Sequence, residues 1–238
     1  MIQSVKFAVP VDHDGEPWLE KQKEIAAGYV TLEQTKETVV EQIANLSQVS
    51  VVPNCDEYAI EYLPLSELFD TIKGKSKYTK KYGNLHSGPY PVYSASSQGT
   101  LTHLDTYDYD GRYMTWSTNG FAGTILILNG KFSINGDRGI LVPKNRRQDL
   151  DFDYMKFTLE PIFRELAKGR KGDNGEDEFT KLYPSMLSDI MVPIPVDGKG
   201  NISLLLQKEI AQKFISVQNS QKEIIEKLDA LISKKISM

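Results

Sequence analysis

The chain contains a single cysteine and no long apolar run, and these two absences narrow its class. Because Cys55 stands alone among 238 residues, an internal disulfide framework is excluded and a reducing compartment, the cytoplasm, is predicted. No apolar stretch approaches the length of a membrane span, and the N-terminus lacks the form of a signal peptide. The composition is otherwise that of a globular protein, with 40% hydrophobic and 25% charged residues.

Motifs that carry catalysis or bind metal are also scarce. The three histidines, His13, His86 and His103, do not stand at metal-ligand spacing from Cys55 or from carboxylates. The sequence has no G-x-S-x-G serine motif and no complete phosphate-binding loop. We therefore predict no catalytic residues, no metal and no cofactor in this chain. A small nuclease using the carboxylates near Asp189–Asp197 is the enzymatic alternative.

Charge is distributed unevenly along the chain, although the net charge is only −4. Residues 1–48 contain 4 basic and 8 acidic side chains, whereas residues 70–175 contain 16 basic and 11 acidic ones. A basic middle segment in an acidic protein indicates a polyanionic partner.

One stretch of sequence occurs twice. "VPVDHDGEPWLEKQKEIAAGY" begins at Val9 and "IPVDGKGNISLLLQKEIAQKF" begins at Ile194, at a constant offset of 185 residues. Ten of the first eighteen positions are identical. Since two copies are too few for a solenoid, the repeat indicates one element used on both sides of a different domain.

Each copy continues into a predicted long helix, Leu19–Leu46 in the first and Ser203–Ile232 in the second. Apolar residues step by four and three, which predicts a heptad seam with a polar residue at the same position of each copy, Lys36 and Gln221. We predict that the helices pair as an antiparallel coiled coil; the alternative is two amphipathic helices packed separately on a core. The predicted seam residues are Ile25, Tyr29, Leu32, Lys36, Val39, Ile43 and Leu46, and Ile210, Phe214, Val217, Gln221, Ile224, Leu228 and Leu231.

The segment between the helices has a different pattern, with short β-rich runs separated by glycine-rich turns. Asn-Gly pairs in "LNGKF" and "INGDRG" predict tight hairpin turns, and Phe152–Ala167 is a predicted helix kinked or broken at Pro161. The predicted fold class is therefore α+β, with one mixed domain and a curled sheet between two long helices. The predicted boundaries are a tail strand and turn over 1–18, a first helix over 19–48, the mixed domain over 50–193, a turn over 194–202, and a second helix over 203–236.

Three stretches of this sequence resemble a known family. "GPYPVYSASSQG" (88–99), "WSTNGFAGTILILNGKFSINGDRGILVP" (116–143) and the second copy of the repeat are similar to the specificity (S) subunits of type I restriction–modification systems. The resemblance covers nearly the whole chain. Such subunits alternate a target recognition domain with a conserved long helix, twice over, and their two helices pair antiparallel.

The resemblance implies a non-catalytic subunit that reads double-stranded DNA. The expected partners are a modification methyltransferase subunit, which would bind S-adenosylmethionine, and a restriction subunit; no membrane partner is expected, and a homodimer is allowed. The chain itself lacks the N/D/S-P-P-Y/F motif of amino-methyltransferases. It also departs from the family in having one recognition domain, and its first residues match the tail of a missing one, so we expect a half-length subunit or a part of a longer one. A structural adaptor with a silent recognition domain is the alternative function.

Basic and polar loops of the middle domain supply the predicted DNA contacts. Clustered lysines suit phosphates, whereas arginine and side-chain amides can read guanine and adenine. In "IKGKSKYTKKYG" the predicted contacts are Lys73, Lys75, Lys77, Lys80, Lys81 and Tyr82. In the later loops they are Ser96, Ser97, Gln98, Asn119, Arg138, Arg170, Lys171 and Asn174.

Overall fold

The computed structural model describes residues 8–48, 58–171 and 177–232. The chain divides into two compact units, Val52–Ile215 and Met1–Val51 together with Ser216–Met238. The larger unit holds all the named strands, and the smaller one holds the first long helix and the end of the last. None of the described helices combines the length and the apolar character that a bilayer crossing needs.

Three open sheets form the larger unit, in place of the single curled sheet predicted. A six-stranded sheet has the order β2-β8-β5-β7-β3-β4, in which only β3 and β7 are parallel. A three-stranded sheet has the order β6-β10-β9, and β1 pairs with β11. The strands are β1 (Ile60–Pro64), β2 (Phe69–Lys73), β3 (Tyr90–Tyr93), β4 (Thr102–Leu104), β5 (Tyr109–Ser117), β6 (Asn119–Gly120), β7 (Ile125–Ile134), β8 (Arg138–Pro143), β9 (Lys168–Lys171), β10 (Asp177–Lys181) and β11 (Met191–Pro195).

The described parts of the chain contain five α-helices. The long ones lie at the two ends of the described chain, and the middle three belong to the larger unit. Pro161 lies inside α4 without breaking it, and Asp151 caps this helix by accepting hydrogen bonds from the backbone of Asp153 and Tyr154. The helices are α1 (Leu19–Gln48), α2 (Leu65–Leu68), α3 (Lys80–Leu85), α4 (Phe152–Leu166) and α5 (Leu204–Ile232).

The Asn129–Gly130 pair corrects one turn prediction. Both residues lie inside the ten-residue strand β7, which continues through them. Gly130 has a φ of 82° and lies directly opposite Gly111, whose φ is 135°. Because only glycine adopts such angles at low cost, two facing glycines keep the β5–β7 ladder continuous where an Asn-Gly hairpin was expected. The second pair, Asn135–Gly136, does form the turn between β7 and β8.

The core lies between the six-stranded sheet and α4. Trp116 of β5 is fully buried, packs edge-on against Phe163 of α4 with ring centroids 5.9 Å apart, and donates its indole N–H to the Leu182 carbonyl at 3.0 Å. A second cluster on the sheet joins Leu128, Phe132, Ile134 and Ile140. This packing fixes the loops that leave the ends of β3, β5 and β7.

The repeated sequence builds the same turn twice. Oδ1 of Asp12 accepts the N–H groups of Asp14 and Glu16 at 3.0 Å each, and Oδ1 of Asp197 accepts those of Lys199 and Asn201 at 2.8 and 3.0 Å. These backbone bonds, with that of Asn201 contributing most, lower the pKa of Asp197 below its usual value. The identity of the two copies at this aspartate therefore has a local structural cause.

The second copy of the repeat also packs the start of α5 against its neighbours within the larger unit. Gln207 is fully buried; its side-chain oxygen accepts the Asp151 N–H and its nitrogen donates to the Asp149 carbonyl, both at 2.9 Å. Two helical turns later, Phe214 stacks on Phe157 of α4 at 5.1 Å. The start of α5 is thus tied to the N-terminus of α4 by two specific contacts.

Candidate nucleic-acid interface

The basic segment from Lys73 to Lys81 lies on the surface, but its lysines differ in their surroundings. Lys75 forms an ion pair with Asp108, whose carboxylate also accepts the Tyr78 hydroxyl at 3.0 Å. The hydrogen bond to Asp108 raises the pKa of Lys75 above its usual value. Lys73 lies 4.9 Å from the centre of the Tyr183 ring. These two lysines therefore interact with other residues of the fold and are less available to a polyanion.

Lys77, Lys80 and Lys81 are exposed and better placed for a polyanion. Lys77 lies over the rings of Tyr78 and Tyr82, at 5.4 and 5.5 Å. Lys80 and Lys81 begin the short helix α3, and no described residue forms an ion pair with either. Together these three side chains present positive charge that no described acid neutralises.

Tyr82 is a supporting residue of this surface. Its ring is half-buried against the cluster of Tyr78, Val92 and Leu104, and it stacks on His86 at 4.2 Å. The ring therefore anchors α3 and lies beneath Lys77, rather than standing out as a separate contact.

Arg138 requires a correction. The sequence suggested a base-reading side chain, but Arg138 is fully buried. Its guanidinium donates to the carbonyls of Ser94, Ala95 and Ser96 and to the Thr115 hydroxyl. Burial lowers the pKa of Arg138 to about 10, which still leaves it protonated at neutral pH. A buried arginine with these acceptors cannot reach a duplex, and its role is to fix the loop over residues 94–98.

That loop contains three of the predicted DNA-contact residues, Ser96, Ser97 and Gln98. The Ser96 hydroxyl donates to the Gln98 carbonyl at 2.7 Å and accepts its N–H at 3.1 Å, which closes a tight turn. Ser97 and Gln98 are exposed. Arg138 holds the loop backbone from below and Ser96 closes its tip, so the loop presents Ser97 and Gln98 on an ordered support.

A second loop faces the same space. Residues 95–98 and residues 119–121 with Thr124 line one surface groove of about 310 Å³. Asn119, at the start of β6, is half-buried and donates its amide to Asp137, so this predicted reader is engaged within the fold. Phe121 lines the groove with an exposed ring. Sequence reasoning missed Phe121, and the only signal was an apolar residue between the glycines of "NGFAG".

Of the remaining predicted DNA-contact residues, the structure describes Arg170 and the backbone of Lys171, both in β9, which pairs with β10. Arg170 is exposed in β9 and lies opposite Phe179 of β10. The backbone of Lys171 ends β9, whereas its side chain and the whole of Asn174 lie outside the described residues. This strand pair joins the groove through β6, which pairs with β10.

The predicted seam residues differ in their burial, and their pairing between the helices stays a prediction. Ile25, Leu32, Lys36, Val39 and Ile43 are half-buried along one side of α1, and Gln221 and Leu228 are half-buried on α5. Tyr29, Val217 and Ile224 are exposed, and the half-buried residue near Ile224 is Ile225. The side chains of Leu46 and Leu231 lie outside the described residues.

Two seam predictions on α5 are corrected. Phe214 stacks on Phe157, and Ile210 is buried in the same compact unit. Both therefore pack with the larger unit at the start of α5, where Gln207 also docks. Heptad spacing could not distinguish packing against the mixed domain from packing against the other long helix. In both cases the apolar residues of the helix recur with the same period.

One group of described residues near the repeat has metal-ligand spacing, which corrects the sequence expectation for His13. Asp12, His13 and Asp14 hold possible metal ligand atoms within 4.8 Å, but they are largely exposed and Asp12 closes its turn. Asp197, part of the nuclease alternative, closes the matching turn of the second copy. Gly198 and Lys199 replace His13 and Asp14 there, so the repeat preserves the turn and not the ligand set.

Comparison with known proteins gives one family. A family model described as "Type I restriction modification DNA specificity domain" matches residues 59–235. The type I restriction enzyme MpnII specificity subunit of Mycoplasma pneumoniae is 37% identical over 157 residues, covering 65% of this chain and 43% of that protein. A putative type I specificity subunit of the same organism, S.MpnORF507P, is 40% identical over 97 residues, covering 40% of this chain and 26% of the relative. The matches thus span less than half the length of these two relatives.

Solved structures of similar fold agree with this assignment. The HsdS subunit of Thermoanaerobacter tengcongensis gives a TM-score of 0.54 at 15% identity, covering 91% of this chain and 57% of that one. The type I restriction-modification S subunit of M. genitalium gives 0.52 at 15% identity, covering 71% and 41%. At these identities the likeness concerns the fold, a mixed α/β arrangement with a long helix at each end of the described chain.

Proposed function

Because the chain belongs to the family of type I restriction modification DNA specificity domains, whose model matches residues 59–235, we propose that it recognises a DNA sequence and catalyses no reaction on it. The family match carries this proposal, since it includes most of the mixed domain and all of α5. We assign the recognition domain to residues 50–193 and the spacer helices to 19–48 and 203–236, of which 50–57 and 233–236 lie outside the described residues.

The surface of the recognition domain is suited to duplex DNA. Lys77, Lys80 and Lys81 supply exposed positive charge, which gives affinity for phosphates of any sequence. The loop over residues 94–98 supplies exposed polar side chains on a fixed backbone, which is what discrimination between base edges requires. Affinity and sequence choice are thus assigned to different residues.

We assign the helices to spacing and partner binding. An antiparallel coiled coil of α1 and α5 is supported by the half-buried stripe on α1 and by the presence of residues 216–232 in the same compact unit. Exposed apolar residues remain on both helices, among them Tyr29, Val40 and Ile224. Such residues suit a protein partner, and we propose the modification methyltransferase subunit, with its S-adenosylmethionine, and through it the restriction subunit. All of these would act on cellular DNA, in the cytoplasm.

Selection from a random duplex library tests this function. The purified full chain is incubated with the library at about 50 mM salt, since one recognition domain makes few phosphate contacts and binds weakly at higher salt. We expect enrichment of a short motif and intact DNA in the presence of Mg²⁺. Retention of DNA without any enriched motif would assign the chain to the adaptor role, and metal-dependent cleavage would make it a nuclease.

A further inference from the structure

Phe121 is an exposed aromatic ring on a fixed backbone. Its side chain is 63% exposed, yet its carbonyl accepts the hydroxyls of Ser117 and Thr124. The buried Thr180 hydroxyl donates to the Gly120 carbonyl at 2.9 Å and accepts the Ala122 N–H at 3.1 Å. The backbone on both sides of Phe121 is therefore held by groups of the core.

None of the described residues that line the groove beside Phe121 is charged. The lining residues are Ala95, Ser96, Ser97, Gln98, Asn119, Gly120, Phe121 and Thr124. The charged residues of the proposed interface, Lys77, Lys80 and Lys81, are not among its lining residues. A neutral polar groove with one apolar wall suits the edge of a base pair better than it suits a phosphate.

The chemistry of the groove matches one base pair. In the major groove, adenine presents an N6 donor and an N7 acceptor, which a glutamine amide can bind with two hydrogen bonds. The thymine paired with it presents a 5-methyl group, which an apolar side chain can cover. Gln98 and Phe121 line the same groove and supply these two complementary groups.

We propose that Phe121 is a specificity residue that packs against the 5-methyl group of a thymine, in an A·T pair whose adenine faces Gln98. This inference rests on the proposed DNA recognition function and adds to it one residue and one base pair. The fixed backbone reduces the entropy lost on binding, because the ring is already displayed in the free protein.

Deoxyuridine substitution tests the contact, since it removes the methyl group and leaves the base-pairing edge unchanged. Each thymine of the motif selected by the wild-type chain is replaced in turn by deoxyuridine, and affinity is measured by fluorescence anisotropy. We expect one position to lose about four-fold in affinity, the size expected for burying one methyl group. In Phe121→Ala the same replacement should change affinity less than about 1.5-fold, whereas Phe121→Leu should keep most of the effect.

Phe179→Ala is the matched control, because Phe179 is also an exposed phenylalanine, at 49%, on β10 of the same domain. It should keep the full deoxyuridine effect, and thermal unfolding should show that all variants fold. A deoxyuridine penalty that persists in Phe121→Ala, or the absence of thymine from an otherwise clear motif, overturns the inference alone. Brightening of 2-aminopurine placed at that step also overturns it, because it indicates insertion between bases. A wild-type chain that selects no motif overturns the proposed function and the inference together.

Discussion

Gln22 and Gln207 occupy the same position in the two copies of the repeat, but their side chains have different surroundings. Gln207 is fully buried and makes two hydrogen bonds to the loop that precedes α4. Gln22 is half-buried, and none of the described residues hydrogen-bonds its side chain. Gln207 therefore has a docking role in the second copy that Gln22 lacks in the first.

Replacing each glutamine by leucine should separate these roles. Gln207→Leu removes the partner of the part-buried Asp151 N–H and Asp149 carbonyl, and should lower the free energy of unfolding by about 1–3 kcal/mol. Gln22→Leu should change it by less than about 0.5 kcal/mol. Urea unfolding of the larger unit can be followed by fluorescence of the buried Trp116 in a Trp18→Phe background. Equal losses in the two variants would contradict the docking role of Gln207.

Arg138 gives a second prediction for single residues. Arg138→Met removes the donor shared by three loop carbonyls, and should cost about 3 kcal/mol or more in unfolding free energy because three part-buried carbonyls and the buried Thr115 hydroxyl lose this donor. Arg112→Met is the control: Arg112 is exposed and pairs with Asp153 at 3.3 Å, so about 0–1 kcal/mol is expected. The same urea titration measures both, and a loss below 1 kcal/mol for Arg138→Met would mean that water replaces the guanidinium.

Arg138 also shows a limit of predicting functional residues from sequence. "GDRG" reads as an exposed turn with a functional arginine, and nothing in those four letters reveals that the side chain points inward to carbonyls more than forty residues earlier. Lys80 and Lys81 were easier to place, because adjacent lysines have no low-cost position in a core. Surface charge was predictable from sequence, whereas the partners of a buried polar residue depend on the tertiary fold.

At the scale of elements, patterns that depend on one helix or strand were predictable. The predicted helix over Phe152–Ala167 corresponds to α4, because its apolar period and the Asp151 cap are local features. The hairpin predicted at Asn129–Gly130 was wrong, because Gly111 on the facing strand compensates for Gly130. The pairing of β5 with β7 keeps Asn129 and Gly130 in a strand, and local turn preferences contain no information about that pairing.

Pairing of the two long helices can be tested by cross-linking. If the half-buried polar residues of the two seams meet, Lys36→Cys and Gln221→Cys, in a Cys55→Ser background, should form a disulfide within one chain under mild oxidation. Glu37→Cys with Gln221→Cys is the control, since Glu37 is the exposed neighbour of Lys36. Non-reducing electrophoresis measures the product. Cross-links only between chains, or equal yields for both pairs, would contradict antiparallel pairing in this register.

At the scale of the whole molecule, the uneven charge predicts which end meets DNA. Lys80 and Lys81 lie in the basic middle segment, whereas Lys21 and Lys23 lie on α1 and pair with Glu24 and Glu20. Lys80→Ala with Lys81→Ala should weaken binding to all duplexes alike and reduce the slope of log affinity against log salt by about one to two units. Lys21→Ala with Lys23→Ala removes the same net charge and should leave that slope unchanged. A similar change in both would mean that total charge, and not a local contact, determines binding.

The pairing of β1 with β11 has a consequence for how such a protein can change. Ile60 and Pro195 are direct partners in this ladder, about 5 Å apart, so the chain enters and leaves the recognition domain at one place. A domain with adjoining ends can be exchanged for another of the same fold without stretching the connection on either side. The second copy of the repeat follows the domain directly, and the helix of the first copy, α1, precedes it along the chain. A chimera joined at these two strands is expected to acquire the binding preference of the donor domain, while its helices and their partner stay as they are.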